Sequence, residues 1–99
     1  MSRPYFTEFV RHALRFYARY PKLTTFKSEA DKQNWLSANS IVKSLPEIEQ
    51  SIVLEIYGGF DTIPDEVYKA SNKYHADQSQ IWDMLKEVER RTAKRRGLI

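Results

Sequence analysis

The 99-residue sequence contains no cysteine. That excludes a disulfide framework, a thiolate zinc site and a thiol nucleophile. It suits a reducing, cytoplasmic setting. Glycine and proline are scarce, at three and four residues, and they fall where helices should begin or end. No stretch approaches the roughly 18 apolar residues of a membrane span, so no membrane partner is expected. The opening MSRPYFTEF has no apolar run after its Arg and does not read as a secretory signal. No run alternates apolar and polar residues, so the main signature of a sheet is missing. There is no His-Glu-x-x-His, no Gly-x-Ser-x-Gly and no phosphate-cradling glycine loop. His12 and His75 lie far apart in the chain. The expectation is a non-enzyme with no catalytic residue, no metal and no cofactor.

What is present suits one small all-α domain spanning residues 1–99. The sequence is 41% hydrophobic and 13% aromatic, enough for a single core. About five helices are expected, an N-terminal pair over 1–43 and a three-helix unit over 44–99. The first helix should run over 4–19, with Pro4 in its first turn. Phe6, Val10, Ala13, Leu14 and Tyr17 form its apolar stripe. Phe9, Phe16 and Tyr20 widen that stripe, and Arg11, Arg15 and Arg19 step by four along another face. Pro21 should end it, because a residue before proline avoids the α region.

Ser28 is the expected N-cap of the second helix, with Glu29 and Asp31 in an acidic first turn. Its stripe is Trp35, Ala38, Ile41 and Val42, with Asn34, Ser37 and Asn39 beside it. Ser44-Leu45-Pro46-Glu47 has the pattern of a capping box opening the third helix. That helix should turn Ile48, Ile52, Val53 and Ile56 inward and stop at Gly58-Gly59. Thr62 should cap the fourth, whose inner face is Val67, Ala70, Ser71 and Tyr74. Asp77-Gln78-Ser79-Gln80 offers another capped start. The last helix should bury Ile81, Leu85 and Val88, flank them with Trp82 and Met84, and stop at Gly97.

The net charge of +3 is unevenly placed. Residues 45–68 hold six acids and no Lys or Arg, whereas residues 90–99 hold five bases and no acid. Only about three residues join the fourth and fifth helices. Helices joined so tightly can cross steeply, as in a helix-turn-helix. The helix after the turn would then be the reader. Its start, Gln78, Ser79 and Gln80, can meet base edges, cap the helix, or do both. Its far end is suited to phosphates, or is a cationic end favoured by the helix dipole.

The string LPEIEQSIVLEIYGGFDTIPDEVYKASNKYHADQSQIWDMLKEVERRTAKRRGL resembles the fourth region of bacterial sigma factors and the related phage activators of the RinA and ArpU type. The family pattern usually has a glycine in the turn, where this chain has Tyr74-His75-Ala76-Asp77. The resemblance implies a DNA-binding transcription regulator of a phage or mobile element, with its last helix in the major groove of double-stranded DNA. Gln78, Ser79 and Gln80 would face bases, with Lys86 near the edge. Lys73, Arg90, Arg91, Lys94 and Arg95 would hold phosphates. It also implies contact with RNA polymerase or another protein through the acidic 45–68 segment. The alternative is a non-catalytic protein-interaction module on the same helical fold, with head-to-tail homo-oligomer formation through the opposite charges of the two segments. Asp83 and Glu87, acids on the expected reader, speak for that alternative.

Overall fold

The computed structural model describes residues 4–99. It is all-α: α1 (Thr7–Arg19), α2 (Glu29–Lys43), α3 (Glu47–Gly58), α4 (Ile63–Tyr74) and α5 (Gln78–Arg96), with no strand among the described residues. None of these helices is long and apolar enough to cross a membrane.

Capping chemistry sets most of the boundaries. Ser28 Oγ accepts the Asp31 amide at 3.1 Å. Thr62 Oγ1 accepts the Asp65 amide at 3.3 Å, with Pro64 in the first turn. Asp77 accepts the Ser79 amide at 3.1 Å. Each bond satisfies an N–H that the helix leaves without a partner. At the far end of α5, Gly97 takes a φ of 88°, Leu98 N–H reaches Ala93 O at 2.8 Å and Gly97 N–H reaches Lys94 O at 3.1 Å. That pair of bonds is a Schellman stop.

Two starts differ from the sequence reading. The first helix begins at Thr7, not at Pro4, which sits in a preceding turn and accepts the Thr7 amide at 3.1 Å. The capping box at Ser44 does not form. Glu47 is the first residue of α3 and Pro46 its cap, so the required spacing to a third helical residue is missed by two positions. Ser44 instead closes α2, donating its hydroxyl to Ile41 O at 2.6 Å.

All five helices share one core, represented by Leu14, Val42, Ile56, Val67 and Leu85. A smaller cluster joins the two ends of the chain, where Phe6 and Val10 of the N-terminal segment meet Ala93, with Leu98 packed alongside. Burial departs from the expected stripes at several positions. Ile48 is 60% exposed, because it lies in the first turn of α3, ahead of the inward pair Ile52 and Val53. Phe9 and Tyr20 are exposed, so the apolar stripe of α1 is narrower than expected. Asn34 and Ser37 are buried rather than beside the stripe. Asn34 is accommodated because its Oδ1 accepts Arg96 Nε at 2.8 Å, and a buried polar group needs such a partner. Trp35 is only half-buried; its indole donates to Tyr20 O at 2.9 Å and its ring meets Tyr17 edge-on at 5.1 Å.

Candidate nucleic-acid interface

The connection between α4 and α5 is three residues long, His75-Ala76-Asp77. His75 adopts the left-handed conformation at φ 53° and ψ 42°, the place where glycine is usual. Ser71 secures the turn from both sides. Its carbonyl accepts the Ala76 amide at 3.1 Å, and its hydroxyl donates to Ala76 O at 2.6 Å. Asp77 then opens α5, so chain direction changes within three residues without any glycine.

The orientation of α5 is fixed by a charge that sequence reasoning missed. Glu89 is 5% exposed. Its Oε2 accepts Arg11 Nε at 2.9 Å and the Tyr57 hydroxyl at 2.5 Å. The carboxylate therefore joins α5 to α1 and α3. Burial raises the Tyr57 hydroxyl well above its ordinary value, and the Glu89 charge and hydrogen bond push the same way. A signal was present in the sequence: Leu85, Val88, Glu89 and Thr92 follow the three- and four-residue spacing of an inner face.

With its inner face so placed, α5 presents Ser79, Asp83, Lys86, Glu87, Arg90 and Lys94 outward. Lys86, Arg90 and Lys94 step by four along this side. At about 100° per residue, Gln78 lies about 80° from Lys86 and about 160° from Lys94. Gln78 and Gln80 are exposed at the helix start. Ser79 is engaged in the cap, giving both its amide and its hydroxyl to Asp77 Oδ1, the latter at 3.2 Å.

Four of the expected phosphate-holding residues converge. Arg90, Arg91, Lys94 and Arg95 line one open groove of about 500 Å³ with Ile41 of α2 as its apolar wall. Arg91 is steadied there by Ser44, whose hydroxyl oxygen accepts Arg91 Nη2 at 2.9 Å. No local motif announces that contact, because the two residues are 47 positions apart. Arg90 makes two bonds to Glu87, at 2.6 and 3.1 Å. The bond from Arg90 holds the Glu87 carboxyl below its usual range. Arg96 turns away from the groove, to Asn34 Oδ1, with its guanidinium 5.8 Å from the Phe9 ring centroid.

Lys73 is not among these four. It is paired with Glu55 and lines a separate groove formed by α1, α3 and α4. Glu55 also accepts the Tyr74 hydroxyl. Burial pushes the Glu55 carboxyl up, but the bonds from Lys73 and Tyr74 together bring it below its usual range. Lys69 pairs with Asp61 and approaches Glu66 at 4.0 Å. Three of the six acids in residues 45–68 are thus partnered by lysines of α4, and the segment is less acidic at its surface than its composition suggests. No protein-family model matches this sequence, and neither a curated protein nor a solved structure is significantly similar to it.

Proposed function

We propose that this chain is a DNA-binding transcription regulator of the sigma region four type, with α5 as the helix that meets the duplex. The observation that carries this reading is the convergence of Arg90, Arg91, Lys94 and Arg95 on one open groove. Clustered cations release condensed counterions when they meet phosphates, which supplies most of the affinity of non-specific binding. The three-residue turn before α5 supports the same reading. Lys86 and Arg90 continue the basic row toward the helix start, and Gln78 and Gln80 are exposed there, although Gln78 lies about 160° around α5 from Lys94 and so off that row.

The test is binding to random-sequence duplex DNA across a salt series. Four phosphate contacts give a logarithmic salt slope of about −3.6. The triple variant Arg91→Ala, Lys94→Ala, Arg95→Ala should lose roughly three-quarters of that slope. A chain that binds no duplex even near roughly 50 mM salt does not have this function.

A second reading, a protein-interaction module, is favoured by the exposed Ile48 and Tyr68 on α3 and α4. It would take RNA polymerase or another protein on the 45–68 segment. Binding of purified polymerase that survives the triple variant and is lost on Ile48→Ser would establish it.

A further inference from the structure

The four cations of the basic groove are not alike. Arg90, Lys94 and Arg95 are exposed, whereas Arg91 is half-buried. Arg90 is bonded to the Glu87 carboxylate, which an incoming phosphate has to displace. Lys94 and Arg95 are held by no hydrogen bond or ion pair among the described residues, so their long side chains keep their rotamer freedom until something binds. Arg91 combines order with an uncompensated charge. Its partner is the neutral hydroxyl of Ser44, 2.9 Å from Nη2.

The direction of that bond follows from the proton count. A serine hydroxyl has one proton and two lone pairs. The Ser44 proton goes to Ile41 O at 2.6 Å, so Ser44 turns a lone pair toward Arg91. Ile41 O also accepts the Ser44 amide, at 3.1 Å. Both lone pairs of that carbonyl are then engaged. The last carbonyls of a helix are its negative end and repel an approaching phosphate when left bare. Ser44 therefore does two things at once: it covers Ile41 O, and it ties the α2 wall of the groove to Arg91 on the α5 wall. A guanidinium has five N–H donors, and this bond uses one of them. The rest remain for the oxygens of a phosphate.

We infer that Ser44 is a positioning residue for nucleic acid, holding Arg91 as the anchor cation that takes a backbone phosphate of the duplex. The inference rests on the DNA reading proposed above. An arginine already held in place loses less freedom on binding than a loose one, a difference of roughly two- to tenfold in affinity. Ser44 brings no charge of its own, so it acts on affinity and leaves counterion release as it is.

Binding of random-sequence duplex DNA separates position from charge. At roughly 50 mM salt, Ser44→Ala should weaken binding by about two- to tenfold while the logarithmic salt slope keeps the parent value. Arg91→Ala should lower the slope by about 0.9. Ser44→Thr keeps a hydroxyl that can reach a carbonyl of the preceding turn, and should bind as the parent does. Ser44 also closes α2, so Ser44→Ala should lower the melting temperature in any background. Its effect on DNA should vanish once Arg91 is alanine, because the two residues then have no bond left to lose. The side-chain NMR signals of the arginines give a measure without DNA. The guanidinium protons of Arg91 should exchange more slowly than those of Arg95, and Ser44→Ala should abolish the difference. Parent affinity in Ser44→Ala, an equal loss when Arg91 is absent, or an Arg91 guanidinium as mobile as that of Arg95 would each overturn the role of Ser44 while the DNA reading stands. A parent chain that binds no duplex overturns the DNA reading itself, and the role of Ser44 toward phosphate with it.

Discussion

Tyr57 and Glu89 meet inside the molecule, the phenol donating to Glu89 Oε2 at 2.5 Å while Arg11 occupies the same oxygen at 2.9 Å. Three helices far apart in sequence are joined at one carboxylate oxygen. Tyr57→Phe removes one donor and leaves the ion pair, and should cost about 1–2 kcal/mol. Glu89→Ala strands both the guanidinium and the phenol, and should cost about 3–5 kcal/mol. Urea unfolding at neutral pH measures both. A Glu89→Ala variant no less stable than Tyr57→Phe would show that the carboxylate is not the joint.

The same pair sets the alkaline limit of the fold. Burial raises Tyr57 well above its ordinary 10.0, helped by Glu89, and burial raises Tyr17 as well. The folded chain holds these protons more tightly than the unfolded chain. Their contribution is complete below the unfolded value and is lost as pH rises through the folded one. Lys69 and Lys73, raised by hydrogen bonds to Asp61 and Glu55, lose their share in the same direction. The urea midpoint should therefore decline above about pH 10. Tyr57→Phe should flatten that decline, and an identical slope in the variant would remove Tyr57 from its cause.

Among the described residues, His75 is the one non-glycine residue with a positive φ. Left-handed geometry costs an ordinary L-residue about 1–2 kcal/mol, part of which glycine gives back through its looser unfolded chain. His75→Gly should raise stability by up to about 1 kcal/mol, and His75→Val should lower it by at least that much. For a chain of this size 1 kcal/mol moves the melting temperature by roughly 4–8 °C. Equal midpoints for glycine and valine would mean that the turn does not hold its left-handed residue in solution.

Glu87 competes with phosphate for Arg90. The pair is exposed on both sides and adds little to the fold, so Glu87→Gln should leave the melting temperature in place. It should tighten duplex DNA binding by about two- to tenfold and steepen the salt slope by up to about 1. Arg96→Ala is the matching control. Arg96 is held by Asn34 away from the groove, so its loss should lower stability while the slope stays as it was. A slope that falls with Arg96 and ignores Glu87 would move the phosphate path to the other side of α5.

The five helices were legible because their ends are chemical. Ser28, Thr62, Asp77 and Gly97 each do locally what their side chain, or its absence, permits. Four of the nine expected DNA-contact residues were legible as a cluster for a similar reason, since bases spaced along one helix end stay together. Where partners come from distant segments, sequence spacing says little. Ser44 looked like an opening cap because Glu47 stands three residues on, yet its hydroxyl serves the helix before it and the arginine 47 residues after it. Glu89 has no place in the apolar stripe Ile81, Leu85 and Val88 read from the sequence, and only Arg11 and Tyr57 make its burial tolerable. The turn at His75 lacked the expected glycine, and Ser71 supplied the bonds that hold it.

The Tyr5 hydroxyl donates to Leu98 O across 93 positions, next to the small cluster of Phe6, Val10 and Ala93. In the fold, residues 5 and 98 are therefore neighbours. Joining them with a short linker and opening the exposed Thr24-Thr25 connection would preserve every helix and every helix-to-helix contact. Such a permuted chain would carry its basic helix in the interior of the sequence and keep the same surface.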